Sequence, residues 1–377
     1  MTGNNLVSLY FHIPFCSRKC PYCHFFVLPN KQELKDRLLQ ALHLEWKREH
    51  TKLAGKEIVS IYFGGGTPSL FGPEAIGTVL GWIQNSAQLS PNCEITLEAN
   101  PEEGKTLSAF ASTGVNRMSL GVQSLDREIL RLLGRKHSPE EALSTLETIY
   151  DAGIQNLSLD LMYEIPKQTP RSFENTLRQL SQLPLSHISL YNLTFEPETV
   201  FFKRKQKLQP LLPSPDENLE MLEMAVTHLE NIGYERYEIS AFAKKGYQSV
   251  HNTGYWTARP FLGFGPSAFS HWKGKRYRNV ADLNAYEMQL KQDQSPVDFE
   301  EKLTHPHNIL ELLAVELRLL RGVSLGEFEA KHGALPVLTL ETIATLVKRG
   351  WLSLSQNQLK LTNEGLLFYD SVASELI

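Results

Sequence analysis

The fold follows from residues 6–23, which read LVSLYFHIPFCSRKCPYC. The first eight are mostly apolar and are typical of a buried strand, and the polar loop behind them carries Cys16, Cys20 and Cys23. Three thiolates in one loop can hold three irons of a [4Fe–4S] cluster, which usually has four cysteine ligands. The remaining iron would then stay open to a substrate or cofactor.

Structural zinc is the alternative occupant of this loop. Zinc takes four ligands, and His12 or His24 could complete a Cys3His set. The spacing favours the cluster, but it leaves both interpretations open.

Strand and helix patterns alternate from this loop through the first two-thirds of the chain. Strands that are nearly continuous in apolar residues indicate a parallel sheet with both faces covered. Six strand–helix units predict an α/β fold with a partial (β/α)6 barrel, and an open doubly wound sheet is the alternative. The predicted strands cover residues 6–13, 57–63, 93–99, 115–122, 156–163 and 187–194, and the predicted helices cover residues 32–50, 73–87, 138–153, 171–183 and 216–232.

The domain organisation is predicted from changes in composition. The barrel occupies residues 1–245, and a Gly- and aromatic-rich connecting segment with the motif HNTGYW occupies residues 246–300. Residues 301–377 form a smaller, mainly helical domain with a hairpin around Gln356 and Asn357, and this domain resembles a winged-helix module.

Composition excludes several classes of protein. The 38 Lys and Arg are balanced by 42 Asp and Glu, which argues against a nucleic-acid binder. No apolar run approaches the ~18–20 residues of a membrane span. The N-terminus lacks the basic start of a signal peptide, so we expect none.

The cysteines indicate the compartment. Four cysteines cannot build a disulfide framework, and three of them lie within eight positions, as expected for a metal site in a reducing environment. We therefore expect a cytoplasmic protein. The fourth, Cys93, is predicted to be a buried core thiol at the end of the barrel opposite the cluster loop.

Each predicted strand ends in polar or glycine-rich residues. In a β/α barrel these ends form the active-site rim. At Gly64–Gly66, bare backbone groups can approach a ligand closely. Taken singly, each polar residue is as compatible with a satisfied rim side chain as with a ligand contact, and Arg135 alone would be a solvated charge. The strand ends supply Glu98, Gln123 and Asp160 among others.

The order of these motifs resembles the radical S-adenosylmethionine superfamily. Within it, the chain is similar to oxygen-independent coproporphyrinogen III oxidase and its relatives over essentially its whole length. The resemblance rests on residues 10–23, GGGTPS (64–69), LEANPEE (97–103), GVQS (121–124), LGRKHSPEEA (133–142), LDLMYEIPKQT (159–169) and HISLYNLTFEPET (187–199).

The resemblance implies that Cys16, Cys20 and Cys23 hold a [4Fe–4S] cluster and that S-adenosylmethionine chelates its open iron. Met162 would pack on the adenine. Reductive cleavage would give a 5′-deoxyadenosyl radical, with electrons from a small reductant protein such as flavodoxin or ferredoxin. By motif position, the remaining residues of the cofactor pocket are Tyr10, Tyr22, Gly65, Gly66, Thr67, Glu98, Gln123, Arg135 and Asp160.

Two departures separate the chain from the oxidases of this family. Those oxidases carry an N-terminal extension, for which the fifteen residues before Cys16 leave no room, and a further cysteine where this chain has Phe25. Residues 251–256, HNTGYW, instead match the HNxxYW motif of the related heme chaperones. That motif implies His251 as a ligand of heme iron with Trp256 packed on the porphyrin; the alternative is a structural turn closing the barrel.

The predicted function is therefore a heme-binding chaperone on a radical S-adenosylmethionine scaffold. It would deliver heme to an acceptor protein, and its cofactors would be the [4Fe–4S] cluster, S-adenosylmethionine and heme. The alternative is an oxidase that decarboxylates coproporphyrinogen III in porphyrin biosynthesis.

Overall fold

The structure, a computed structural model, describes residues 5–377. Its main feature is a twelve-stranded sheet, accompanied by a three-stranded and a two-stranded sheet. The strands are β1 Leu6–Ile13, β2 Phe15–Cys16, β3 Leu28–Pro29, β4 Glu57–Gly65, β5 Gln88–Ala99, β6 Arg117–Gln123, β7 Asn156–Tyr163, β8 His187–Asn192, β9 Glu235–Glu238, β10 Ala241–Ala243, β11 Phe261–Phe264, β12 Phe269–Trp272, β13 Lys275–Asn279, β14 Val297–Glu301, β15 Val323–Ser324, β16 Leu352–Ser355 and β17 Gln358–Leu361.

The order of the parallel strands identifies a partial barrel. β1, β4, β5, β6, β7 and β8 are neighbours in chain order and pair in parallel. Crossover connections are right-handed, so strands added in one direction along the sheet place all their helices on the same face. A doubly wound sheet has helices on both faces and therefore needs a reversal of strand order, which these six strands do not show. The predicted (β/α)6 barrel is confirmed. It is extended by β11, parallel to β1, and by β10, antiparallel to β8.

The barrel strands alternate in character, which differs from the expected near-continuous apolar runs. In β1, Val7, Leu9 and Phe11 belong to the main hydrophobic core, whereas Tyr10 and His12 hydrogen-bond to each other. The same alternation recurs in the other barrel strands. The interior of the barrel is therefore lined with polar side chains, and the apolar set packs beneath the helices.

Capping residues in the sequence set where several helices begin. Ser138 caps α4 in a capping box with Glu141, and Ser214 caps α8 in a capping box with Glu217. The helices are α1 Gln32–Glu49, α2 Pro73–Ser86, α3 Arg127–Leu132, α4 Pro139–Asp151, α5 Pro170–Leu180, α6 Val200–Lys203, α7 Lys205–Leu208, α8 Pro215–Asn231, α9 Val250–Trp256, α10 Leu283–Lys291, α11 His307–Glu316, α12 Leu325–His332, α13 Val337–Lys348, α14 Asn363–Leu367 and α15 Tyr369–Leu376. Short 3-10 helices cover His50–Leu53, Pro68–Phe71, Pro101–Thr113 and Gln209–Leu211.

Residues 246–300 contribute β11–β14 to the main sheet, together with α9 and α10. A buried carboxylate joins this segment to α1. Glu45 accepts hydrogen bonds from Gly265 N at 2.8 Å, Asn279 Nδ2 at 2.6 Å and the Tyr286 hydroxyl at 2.5 Å. The division of the chain at residues 245/246 and 300/301 stays a prediction.

The C-terminal part has its own hydrophobic core. Buried residues from Ile309 to Leu376 form a cluster separate from the main core. Helices α11–α15 surround the antiparallel sheet β15–β17–β16. The predicted hairpin is confirmed: β16 and β17 are joined at Gln356 and Asn357, which both have positive φ as a two-residue hairpin turn requires.

Among residues 5–377, no helix is long and apolar enough to cross a membrane.

Candidate functional site

The cysteine loop follows β1 and is anchored at both ends. β2 and β3 pair in parallel, with Cys16 opposite Pro29. Within the loop, Cys23 N donates a hydrogen bond to Cys20 O at 3.1 Å. The three thiols are free and half-buried, and all of them line one cavity at the carboxyl ends of the barrel strands.

A ring of polar contacts ties two of the thiols to the barrel rim. Cys16 Sγ lies 3.6 Å from Thr67 Oγ1, which accepts a hydrogen bond from Asn100 Nδ2 at 2.8 Å. Arg135 donates from Nη2 to Asn100 Oδ1 at 2.6 Å and from Nη1 to Cys20 Sγ at 3.7 Å. The guanidinium also donates to the Gly121 carbonyl oxygen. This ring fixes the loop and places a positive charge beside Cys20.

The donor set fits an iron–sulfur cluster. Burial raises the pKa of Cys16 to about 11 and also raises the pKa of Cys23. Thiolates at these positions therefore need a cation, which cluster iron supplies. Arg135 Nε is buried and has no hydrogen-bond partner among the described residues, so a donor remains for a bound ligand.

A single zinc ion fits less well. Within residues 5–377, no three His, Cys, Asp or Glu side chains converge as ligands of one ion. The ring of His12 is already engaged, with Nδ1 at 3.1 Å from the Tyr10 hydroxyl and Nε2 at 3.2 Å from Phe26 O. In a [4Fe–4S] cube each thiolate binds a different iron, so the sulfurs need not meet at one point.

The glycines after β4 are required by packing as well as by ligand approach. Gly65 has φ of +113°, and a Cβ there would lie 2.6 Å from the His12 ring. A Cβ on Gly66 would lie 2.7 Å from backbone atoms of Pro14 and Phe15. From the sequence we expect bare backbone at these glycines to let a ligand approach closely. The structure shows that they also let β4 pack against the start of the cysteine loop.

Two carboxyl groups face the interior of the cavity. Glu98 accepts hydrogen bonds from the Tyr62 hydroxyl at 2.7 Å and from Gly65 N at 3.1 Å, and burial raises its pKa to about 7. Asp160 accepts one from Ser119 Oγ at 3.1 Å, and burial raises its pKa as well. Such acceptors suit ribose hydroxyls and cationic groups of a cofactor.

The structure brings together most of the residues predicted for the cofactor pocket, but two lie outside the cavity lining. Tyr10 points into the barrel interior below the rim, where its ring stacks on Tyr62 at 6.2 Å. Met162 is buried in a small hydrophobic cluster beside Tyr191. The predicted residues that do line the cavity are Tyr22, Gly65, Gly66, Thr67, Glu98, Gln123, Arg135 and Asp160.

The pocket residues predicted from motif position did not include Asn100 and Tyr191. Asn100 forms the centre of the polar ring, and its position directly after β5 was a sufficient signal to find it. Tyr191 also lines the cavity, donating a hydrogen bond to Gln123 Oε1 at 3.0 Å. Phe25, which the sequence already distinguished from the cysteine of the oxidases, lines the same cavity and is 52% exposed.

The predicted heme ligand lies elsewhere, inside the barrel. His251 on α9 is 1% exposed. Its Nδ1 shares a hydrogen bond with Ser60 Oγ at 3.0 Å and its Nε2 shares one with the Tyr255 hydroxyl at 2.8 Å. Both ring nitrogens are thus occupied, and heme cannot reach the imidazole unless α9 moves. Iron ligation by His251 stays a prediction.

His251 and the cysteine cavity lie at different positions along the barrel strands. Ser8, Ser60 and Glu94 are register partners in β1, β4 and β5, and Glu94 accepts the backbone N–H of His251 at 2.9 Å. Glu98 follows Glu94 by four residues, which is about 13 Å along a strand. The segment His251–Trp256 therefore closes the amino end of the barrel, opposite the cavity.

Comparisons with known proteins agree with this geometry. A model of the radical SAM superfamily matches residues 10–180, and a model of the HemN C-terminal domain matches residues 303–368. The chain is 32% identical to the heme chaperone HemW of Bacillus subtilis (strain 168) and 34% identical to that of Escherichia coli (strain K12); each match covers 97% of both chains. The chain belongs to the HemW family of radical SAM proteins.

Two further proteins are similar to the chain over nearly its whole length. A mitochondrial radical S-adenosyl methionine domain-containing protein 1 of Danio rerio is 32% identical over 98% of this chain and 86% of its own length. The solved structure of the coproporphyrinogen III oxidase HemN from Escherichia coli superposes with a TM-score of 0.87 at 24% identity, covering 99% of this chain and 90% of that one. The likeness to HemN shows the fold.

Membership of the HemW family accounts for the cysteine cavity. Radical SAM proteins hold a [4Fe–4S] cluster and S-adenosylmethionine, and the cluster supplies the electron that cleaves the cofactor. In this HemW-family chain, the residues around the cavity would position the cofactor: the thiols would bind iron, Arg135 would offer a cation, and Glu98 and Asp160 would offer acceptors.

Proposed function

We propose that the protein binds heme and delivers it to acceptor proteins, while its radical SAM site assists or regulates the transfer. The observation that carries this proposal is that the cysteine cavity and the segment His251–Trp256 lie at opposite ends of one barrel. The cysteine cavity lies at the carboxyl end, and the segment His251–Trp256 closes the amino end. This segment is the motif by which the chain resembles heme chaperones, and the curated HemW proteins match over nearly full length.

The oxidase alternative has less support. The matched oxidase HemN shares the fold at 24% identity, below the similarity of the chain to HemW proteins. At the mouth of the cavity, Phe25 stands where the oxidases carry a further cysteine, and its exposed ring offers no ligand or proton donor there. Coproporphyrinogen III turnover should therefore be absent or very slow.

The partners follow from the chemistry. The cluster requires an external electron, which a small flavodoxin- or ferredoxin-type protein would supply, and heme requires an acceptor. The three free thiols need a reducing environment, which supports a cytoplasmic location.

Anaerobic reconstitution tests the proposal on a single sample. The cluster-loaded chain is titrated with hemin, and the same sample is assayed for decarboxylation of coproporphyrinogen III with S-adenosylmethionine and a reductant. We expect saturable heme binding and no porphyrinogen product. Robust protoporphyrinogen formation would favour the oxidase, and absence of heme binding would refute the chaperone function.

A further inference from the structure

A groove separates the amino end of the barrel from the C-terminal domain. Its volume of about 810 Å³ lies within the roughly 300–1,000 Å³ of pockets that enclose cofactor-sized ligands. Tyr255 and Trp256 line it, although His251 of the same helix does not. The groove is therefore the open surface beside the HNTGYW segment.

The barrel wall of the groove is aromatic. The ring of Phe261 on β11 packs edge-on against Tyr255, with centroids 4.7 Å apart, and lies 6.5 Å from the ring of His271 on β12. On the opposite wall, Leu312 and Val315 of α11 present apolar side chains. Two apolar walls facing each other suit a flat hydrophobic ligand.

Two imidazoles lie on opposite walls and lack hydrogen bonds. His271 makes only ring and charge contacts, and His332 at the end of α12 makes a ring contact with Phe328 at 4.8 Å and feels the charge of Lys331; neither has a hydrogen-bond partner within residues 5–377. Burial lowers the pKa of both rings, so each is neutral near pH 7 with a free lone pair. By contrast, both nitrogens of His251 are occupied.

The free charge at the groove rim is positive. Lys273, Lys302 and Lys331 line the groove, and none of them has a salt-bridge partner within 4 Å in the described part of the chain. The carboxylates of Glu301 and Glu311 are both paired with Arg276. Unpaired lysines at the edge of an apolar slot match a ligand with carboxylate groups on one side.

The walls also hold polar atoms without partners. Trp256 Nε1 and Asn308 Oδ1 are buried and make no hydrogen bond among the described residues. Both residues line the groove. A ligand there would find one donor and one acceptor that folding has left unsatisfied.

We propose that heme binds in this groove, with its iron coordinated by His271 and His332 from the two walls and its propionates paired with the rim lysines. The proposal rests on the proposed function and locates its heme site. It leaves His251 as a structural residue that holds α9 in place behind Tyr255, and it makes the C-terminal domain one half of the site.

The test is hemin titration of the full-length, cluster-loaded chain, followed by Soret absorbance. His271→Ala should weaken heme binding by about tenfold and shift the Soret band, and added imidazole should restore both. His271→Ala/His332→Ala should weaken binding by about a hundredfold. Lys273→Glu/Lys331→Glu, which alters only exposed side chains, should also weaken binding.

His43→Ala is the matched control. Its imidazole stacks on Trp82 at 4.6 Å and does not line the groove, so heme affinity should stay unchanged. If the double histidine variant keeps the wild-type affinity and spectrum while His251→Ala loses them, the groove assignment is wrong and the proposed function stands. A wild-type chain that binds no heme would overturn both.

Discussion

At the scale of single residues, the four cysteines differ in what surrounds them. Cys16, Cys20 and Cys23 line the cavity, whereas Cys93 is 6% exposed in β5, and burial raises its pKa to about 12. Each of the three loop variants Cys→Ala should lose the brown absorbance and the reducible cluster signal. Cys93→Ala should keep both, because its thiol lies in the core; a variant of Cys93 without a cluster would refute the three-ligand assignment.

The glycine at position 66 provides a second residue-scale prediction. Gly66→Ala would push a methyl group to 2.7 Å from the backbone of Pro14 and Phe15, so the cysteine loop must shift. Because the shifted loop carries Cys16, we expect a loss of about 1–3 kcal/mol in the free energy of unfolding and loss of S-adenosylmethionine binding measured by calorimetry.

Gly81→Ala is the control for this prediction. A Cβ on Gly81 meets nothing within 4 Å, and Gly81 lies inside helix α2. Alanine should therefore leave binding unchanged and stabilise the helix slightly. Unaltered binding by Gly66→Ala would show that the loop tolerates the displacement.

The buried imidazole of His251 makes stability depend on pH. Burial lowers its pKa to about 3, whereas an unfolded chain has a histidine pKa near 6.5. Between these values only the unfolded chain takes up the proton, so stability is complete above about pH 6.5 and falls as pH decreases, by up to about 1.4 kcal/mol per pH unit. His251→Asn should reduce this slope between pH 6 and pH 4 in denaturant titrations; an unchanged slope would mean that the imidazole is not desolvated.

At the scale of elements, helix α9 depends on one carboxylate from the sheet. Glu94 in β5 accepts the backbone N–H groups of Val250 and His251 at 2.9 Å each, and it lies 3.8 Å from the buried guanidinium of Arg117. Glu94→Ala should cost about 3–5 kcal/mol, because it leaves two N–H groups at the start of the helix without their acceptor and leaves a buried charge unpaired.

Glu94→Gln is the matched variant, because it keeps the shape and one acceptor. It should lose less stability than Glu94→Ala in chemical denaturation. Both variants should still assemble the cluster, since the three cysteines predicted to hold it lie at the other end of the barrel. Loss of the cluster in Glu94→Gln would show that the two ends are coupled.

The elements were largely predictable from the sequence, and the exceptions have physical reasons. β7 covers residues 156–163 as predicted, because its apolar pattern is bounded by clear turn residues. β5 begins at Gln88 rather than at residue 93, because its polar first residues are ordered by pairing with β4. The 3-10 helix Pro101–Thr113 has no strong periodicity and was not predicted.

The site was predictable where the resemblance supplied a motif. Motif position placed Thr67, Glu98 and Arg135 correctly on the cavity. The two-residue period of β1 turns Tyr10 into the barrel, and Tyr10 lies below the rim because β1 continues for three more residues to Ile13; both facts could have been read from the sequence. The groove could not, since it forms where Leu6 and residues 255–276 meet residues 301–332.

At the scale of the whole molecule, one barrel separates two chemical environments. The carboxyl end carries the cysteine cavity, and the amino end meets the C-terminal domain at the groove. Arg318 contributes to this junction, since its guanidinium lies 4.4 Å from the ring centroid of Trp256 and 5.1 Å from that of Tyr369. Heme binding should therefore persist in the triple variant Cys16→Ala/Cys20→Ala/Cys23→Ala, measured by hemin titration.

Heme transfer tests the central claim most directly. The heme-loaded chain, reconstituted anaerobically with its cluster, is mixed with a heme-free globin as acceptor, and the change in Soret absorbance is followed over time. If the protein is a heme chaperone, heme will pass to the acceptor at a rate that increases with acceptor concentration, because transfer occurs within a complex. A rate that is independent of acceptor concentration would contradict the account, since it would mean that heme only dissociates and is captured from solution.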